Sequence, residues 1–296
     1  MIIVSIFGGL GNQMFQYACG KALAAKLGVE LKLDISFLAD KLERENFTVR
    51  DYELNVFKIN DGFVELSEVR KFIPDLWNCT KPDLLKYKLL RFFNGNHYYF
   101  EKQKFRFEPH IEQLKDNSYV YGYFQTEKYF SNVKDDLLQS FTLKSEPDEQ
   151  NQRLIAKMGA ETAVSIHIRR GDYLNSPFNL LELAYYQKAI ELIKQQVENP
   201  KFYLFTNDYD WALQNFDVLE IDKTIVVHNQ AENSFMDMIL MSQCKHNICA
   251  NSSFSWWGAW LNQYPKKIII APKQWYKSLK YNANTSDLIP AGWLQI

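Results

Sequence analysis

The chain has 296 residues, 47% of them hydrophobic, and 34 Lys+Arg against 35 Asp+Glu give a net charge of −1 with a pI near 6.5. So large a core-forming fraction excludes a mostly disordered chain, and near-neutral charge argues against a nucleic-acid surface, which would show a clear basic excess. No apolar run approaches bilayer-spanning length and no basic segment precedes the opening MIIVSIF, so a cytoplasmic protein of two ordinary domains is expected, without an integral membrane segment.

Residues 2–7 (IIVSIF) form an apolar run of strand length, suited to a buried parallel strand. A glycine-rich turn follows (Gly8, Gly9, Leu10, Gly11, Asn12, Gln13). Phe15, Cys19, Ala22, Leu23 and Leu27 then recur at helical spacing, Gly28 supplies a stop, and residues 29–34 (VELKLD) form a second strand. Gly9-x-Gly11 opening a helix and Asp34 ending the next strand invite a dinucleotide reading. The third glycine of that pattern, however, falls on Met14, which is too large for the close helix–strand packing the position serves. The preferred reading is a backbone-lined loop whose Asn12 and Gln13 side chains point into a cleft. A plain structural turn, with Asn12 tolerating a left-handed backbone, is the alternative.

Residues 35–144 alternate short aromatic-rich and charged pieces without a fixed repeat. Within them, residues 118–124 alternate as a strand does, residues 127–138 start a helix, and His97 and His110 stand alone. Residues 145–152 (SEPDEQNQ) are polar and carry a proline, which marks a boundary between domains at 1–150 and 151–296. A helix through residues 154–158 leads to the next strand.

Residues 162–173 read TAVSIHIRRGDY: a strand, interrupted by Ser165 and His167, that ends in Arg169, Arg170, Gly171 and Asp172. In open α/β sheets ligands sit outside the carboxyl ends of strands. Two guanidiniums there call for an anion, and their planar forks suit phosphate. A surface salt bridge from Arg170 to Asp172 is the alternative. Beyond it, Tyr186, Ala189, Ile190, Ile193 and Val197 mark an amphipathic helix. Strands follow at residues 201–206, 224–227, 246–250 and 267–271, with a helix over 234–244. Strand–helix alternation of this kind means a parallel sheet covered on both faces.

Three features of this half bear on chemistry. Asn251, Ser252 and Ser253 start a helix carrying Trp256, Trp257, Trp260 and Leu261, and such a terminus either binds an anion or is simply capped. If its strand neighbours the HIRR strand, the two converge as a diphosphate requires. Asp208-Tyr209-Asp210 reads either as a D-x-D metal signature or, preferably, as a helix cap. Asp237 sits among Met, Phe and Ile, where a carboxylate is costly unless paired. A base with two adjacent N–H donors, such as guanine, would pair it, as would a buried salt bridge or a helix dipole. The four cysteines, Cys19, Cys79, Cys244 and Cys249, form no C-x-x-C pair, so buried reduced thiols are expected and zinc is not.

Taken together, GGLGNQMFQYA, GYFQTEKYF, HIRRGDY, FTNDYDW, NSSFSWWGAWL and APKQWY resemble the bacterial α-1,2-fucosyltransferases, inverting enzymes that use GDP-fucose, over nearly the whole chain. HIRRGDY also matches the H-x-R-R-x-D pattern of α-1,6- and protein O-fucosyltransferases. The resemblance implies a GT-B architecture of two Rossmann-like domains facing across a cleft. The acceptor, a β-galactoside, would lie on the 1–150 side and GDP-fucose on the 151–296 side. It implies transfer of L-fucose to the galactose O2 with inversion, no obligatory metal, and surface-polysaccharide synthesis as the setting, with room for peripheral membrane association. By position, Arg169 resembles the arginine on the β-phosphate, with Arg170 beside it. His167 and Asp237 resemble the guanosine contacts, Ser252, Ser253 and Phe254 the phosphate-binding loop, and Asn12 the asparagine reaching the donor from the opposite domain. Asp172 is the nearest candidate for the catalytic base, or else orients Arg170. Another GDP- or UDP-sugar transferase, or a non-enzymatic glycan-binding protein, are the rival readings.

Overall fold

The computed structural model describes residues 1–39, 50–73, 95–174, 176–178, 180–282 and 284–296; Cys79 lies outside them. The chain divides into two compact units, Met1–Ser145 with Ser286–Leu288, and Glu146–Thr285 with Ile289–Ile296. The division falls in the polar stretch 145–152, where Asp148 caps a new helix by accepting the Asn151 N–H.

The first unit contains β1 (Ile2–Ser5), α1 (Leu10–Leu27), β2 (Leu31–Asp34), β3 (Gly62–Phe63), β4 (His97–Phe100), β5 (Ser118–Tyr121) and α2 (Lys134–Ser140). The strands form a parallel sheet in the order β3-β2-β1-β5-β4. β1 is buried at every position, as its unbroken apolar run requires. The close helix–strand contact that Met14 cannot provide is made at Gly20, where a Cβ would lie 2.9 Å from both Val4 and Leu31.

β5 stops at Tyr121 although the alternating pattern continues to 124. A Cβ on Gly122 would meet the Glu101 Cβ at 2.5 Å, and the Glu101 carboxylate accepts the N–H groups of Tyr123 (2.7 Å) and Phe124 (3.1 Å). Those donors are thereby withdrawn from the ladder. The helix expected from 127 starts later, at Lys134, after two 3₁₀ turns of which the first is capped by Thr126.

The second unit runs α3 (Glu149–Ala160), β6 (Thr162–Ile168), α4 (Leu183–Gln196), β7 (Pro200–Thr206), α5 (Tyr209–Phe216), β8 (Lys223–Val226), α6 (Phe235–Gln243), β9 (His246–Ile248), α7 (Ser253–Trp260), β10 (Ile269–Ala271) and β11 (Leu294–Gln295). Its parallel sheet has the order β11-β10-β9-β6-β7-β8. Counted from β6 this is the doubly wound nucleotide-binding order, and the strand order reverses between β6 and β9. Val164, Ile166 and Ile168 join a core with Tyr186, Ala189, Ile190 and Ile193 of α4 and Ala212 and Phe216 of α5. Alternation turns Ser165 and His167 to the other face, which explains the two polar interruptions. There Asn247 Nδ2 donates to Ser165 Oγ at 2.8 Å, and His167 meets Phe254.

Cys19, Cys244 and Cys249 are buried and form no disulfide. No described helix is long and apolar enough to cross a membrane.

Candidate active site

β6 and β9 pair directly, with Val164 opposite His246 and Ile166 opposite Ile248. The chain leaving β6 at Arg169 therefore runs beside the chain leaving β9 toward α7. Three contacts fasten these segments. Tyr173 Oη donates to Asn251 O (2.9 Å), Tyr185 Oη donates to Cys249 O (2.6 Å), and the His167 and Phe254 rings lie 5.7 Å apart. The HIRR strand end and the NSS helix start, which the sequence could only place in the same half, thus converge at the switch point.

α7 begins there with Ser252 as N-cap in extended conformation (φ −140°, ψ 134°), its hydroxyl making no capping bond. The N–H groups of the first helical turn have no intrahelical acceptor, and the helix dipole makes that end attractive to an anion. Arg169 is half-buried, with its guanidinium 5.8 Å from the Tyr173 ring. His167 is 5% exposed, and its Nδ1 is buried without a hydrogen-bond partner among the described residues. Burial, then the positive charge of Arg169, pushes the His167 pKa down to about 3, so the imidazole is neutral at physiological pH. A buried unpaired ring nitrogen is costly unless something completes it, and a bound ligand is one such thing.

Asp237 lies in the first turn of α6. That helix links β8 to β9 in a parallel sheet, so its start is at the same carboxyl edge as Arg169. No cation pairs with it among the described residues, contrary to the salt-bridge alternative. Asn229 Nδ2 donates to its Oδ1 at 2.9 Å. Burial raises its pKa to about 7, opposed only by that hydrogen bond. The start of α7, Arg169, the neutral imidazole of His167 and the Asp237 carboxylate thus share one sheet edge.

In the first unit, Asn12 stands in the first turn of α1 and accepts from Gln125 Nε2 at 2.7 Å. Its Nδ2 lies 2.8 Å from where a Cβ on Gly8 would be, and Gly8 has φ +75°. The left-handed backbone favours glycine there. Gln13 does not point into a cleft. It is fully buried, donates to Gly8 O (2.7 Å) and Asp51 O (2.8 Å), and accepts from Glu53 N (2.9 Å). The Leu10 N–H at the start of α1 is already taken by the Glu53 carboxylate at 3.0 Å. Asp34 is buried against Tyr119 Oη (2.6 Å) and Ser36 N (2.9 Å). The positions a dinucleotide would need are thus occupied by the protein itself.

The sequence profile of glycosyl transferase family 11 matches residues 85–296. This chain belongs to that family. It is 32% identical to the O-antigen biosynthesis glycosyltransferase WbnK of Escherichia coli over 98% of both chains. It is 31% identical to an alpha-1,2-colitosyltransferase of E. coli over 100% of this chain and 99% of that one. A galactoside alpha-(1,2)-fucosyltransferase 1 of Rattus norvegicus is 30% identical over 145 residues, 45% of this chain and 39% of that protein. Among solved structures, NodZ alpha-1,6-fucosyltransferase soaked with GDP-fucose aligns over 91% of this chain and 94% of its own with a TM-score of 0.52 at 16% identity, a likeness of fold.

The sequence offered one metal signature, the D-x-D triplet Asp208-Tyr209-Asp210, with a helix cap as the preferred reading. Asp208 caps α5, accepting from Trp211 N at 3.2 Å, and its carboxylate lies 3.4 Å from Arg170 Nε; Asp210 is exposed. Among the described residues no group of three or more His, Cys, Asp or Glu side chains is arranged to hold a metal ion. The same contacts account for Arg170. It is 9% exposed, its Nη1 approaches Leu181 O at 3.5 Å, and its guanidinium lies 4.0 Å over the Trp211 ring. Its charge pairs with Asp208; the sequence alternative, a pair with Asp172, lies outside the described residues. The backbone of Asp172 lies in a 3₁₀ turn (Gly171–Tyr173), and its side chain falls outside the described residues. Sequence reasoning missed Gln125, Glu53, Glu101 and Asn229. Gln125, Glu53 and Glu101 lie 22 or more residues along the chain from what they hold, Asn229 lies eight from Asp237, and no local pattern announces any of them.

Proposed function

We propose that this family 11 glycosyltransferase transfers L-fucose from GDP-fucose to the O2 hydroxyl of a β-galactose residue, with inversion, in building an O-antigen-type surface polysaccharide. The observation that carries the reading is the meeting of Arg169 and the start of α7 on the adjacent strands β6 and β9. As the sugar–phosphate bond breaks, negative charge grows on the β-phosphate. A guanidinium and a set of helix N–H groups fixed at that spot stabilise it more in the transition state than in the ground state. They can do this without a metal or further cofactor. Neutral His167 and Asp237 suit the guanosine, and Ser252, Ser253 and Phe254 the phosphate turn. The two units are then the two domains of a GT-B enzyme, with Asn12 in the acceptor domain. Asp172 is the candidate base, and Arg170 serves by holding the Arg169 segment to α5.

A second reading changes the sugar only. One relative matched along its whole length is a colitosyltransferase, and colitose is fucose without its O3 hydroxyl. A site that hydrogen-bonds a substrate hydroxyl rejects the analogue lacking it by a large factor. The test offers the enzyme GDP-fucose, GDP-colitose or a panel of UDP-sugars with lactose, lacto-N-biose or N-acetyllactosamine, and reads the product linkage by NMR. Fucose in α-1,2 linkage to galactose is expected. Transfer of colitose alone would move the assignment to the second reading, and transfer from UDP-sugars alone would defeat both.

A further inference from the structure

Behind Asp237 runs a chain of polar side chains that donor binding as described does not employ. It starts at Asp148, on the surface, whose carboxylate accepts both the backbone N–H and the side-chain Nδ2 of Asn151, each at 2.8 Å. Asn151 is fully buried. Its Nδ2 also donates to Asn229 Oδ1 at 2.9 Å, and Asn229 Nδ2 donates back to Asn151 Oδ1 at 3.1 Å. The second Asn229 N–H goes to Asp237 Oδ1 at 2.9 Å. His228 Nε2 lies 3.0 Å from Asn151 Oδ1.

Two amides are therefore locked face to face with a carboxylate at each end. An amide has two N–H donors, and here one meets the other amide and one meets a carboxylate. Reversing either amide would set a carbonyl oxygen against a carboxylate and leave buried N–H groups unmade, so the order of the chain is fixed. Burying so much polar surface brings little net stability, since apolar side chains of similar volume would serve about as well. What it does provide is a definite orientation of its last member. Asp237 Oδ1 is engaged, and Oδ2 takes no hydrogen bond from a described residue. The titratable groups along the chain are Asp148 and His228; among the described residues no other charged group is set against Asp237.

We infer that Asn229 is a positioning residue for Asp237: it fixes the rotation of the carboxylate so that the oxygens face the adjacent N1–H and 2-amino donors of guanine, and it thereby sets the preference of the site for a 2-aminopurine base. The inference rests on the reading of Asp237 as the base contact.

The test is calorimetric titration of wild type and Asn229→Leu with GDP and with IDP from pH 6 to 8.5. The two ligands differ only in the 2-amino group, so the titration of the shared diphosphate cancels in their ratio. Wild type is expected to bind GDP about tenfold tighter than IDP, the worth of one hydrogen bond to a charged acceptor. In Asn229→Leu that ratio falls to within about threefold of unity. Whatever preference remains is lost at a higher pH than in wild type, because the lost N–H was what favoured the ionised carboxylate. A merely structural lesion would weaken both ligands alike and leave ratio and pH midpoint in place, and that result overturns the inference while leaving the donor reading intact. Failure of wild type to bind GDP overturns the donor reading instead. Should Asn229→Leu not fold, Asn229→Ser carries the same comparison, and an unchanged ratio there is equally fatal.

Discussion

Arg169 and Arg170 are adjacent in the chain and face different partners, so replacing each by Lys separates catalysis from stability. Arg169→Lys keeps the charge and loses the planar fork. Turnover of GDP-fucose should fall about 10²–10³-fold with unfolding unchanged, the scale on which losing one preorganised donor acts. Wild-type turnover would remove Arg169 from the phosphate. Arg170→Lys gives up the contact with Trp211 and weakens the Asp208 pair, and should cost about 1–3 kcal/mol in urea unfolding. His167 is a third test. Its pKa is lower folded (about 3) than unfolded (6.5), so the unfolded chain binds the extra proton between those values and stability is lost as pH falls through that window. The slope is up to about 1.4 kcal/mol per pH unit. Asp237 and Glu101, both raised to about 7, act with the opposite sign, since their folded forms hold protons the unfolded chain has released. The difference between wild type and His167→Gln isolates the His167 slope, and parallel stability curves would show that the imidazole is not buried neutral.

At the level of elements, α1 lies against β1 and β2 through Gly20. Gly20→Val would place methyl groups where Val4 and Leu31 already stand, and should destabilise the protein by about 1–3 kcal/mol, read by thermal unfolding. The elements legible in the sequence were those that bury a continuous or alternating apolar run, such as β1, β6, β7 and α4, because burial writes its own period into the chain. The strands that escaped notice are short or half-exposed: Gly62–Phe63 and Leu294–Gln295 are exposed throughout, and His97–Phe100 is only partly covered. Their neighbours decide that they pair. The ends of elements were hidden for a related reason. β5 is cut at Tyr121 by Glu101, and Gln13 is turned inward by Glu53, contacts made between distant parts of the chain. The site was legible in its residues, HIRR and NSS, but not in its assembly, which needed the pairing of β6 with β9. Arg170 looked like a twin of Arg169 until Asp208 and Trp211 were seen to claim it.

For the whole molecule, the doubly wound order of the second unit and its paired anion features predict selective stabilisation by one nucleotide. At a ligand concentration of about 100 Kd, GDP should stabilise the native protein by about 2.7 kcal/mol, with UDP and ADP at the same concentration giving much smaller thermal shifts. Equal shifts from all three would point to a phosphate site without base recognition. Glycosyl transfer should continue in excess EDTA, since Arg169 and α7 are proposed to do a metal's electrostatic work; loss of activity restored by a divalent cation would refute that. The most direct test is a crystal structure with GDP. The β-phosphate should lie within hydrogen-bonding distance of Arg169 and of the first-turn N–H groups of α7, with the guanine at Asp237. A diphosphate bound away from both Arg169 and the start of α7 would contradict the assignment.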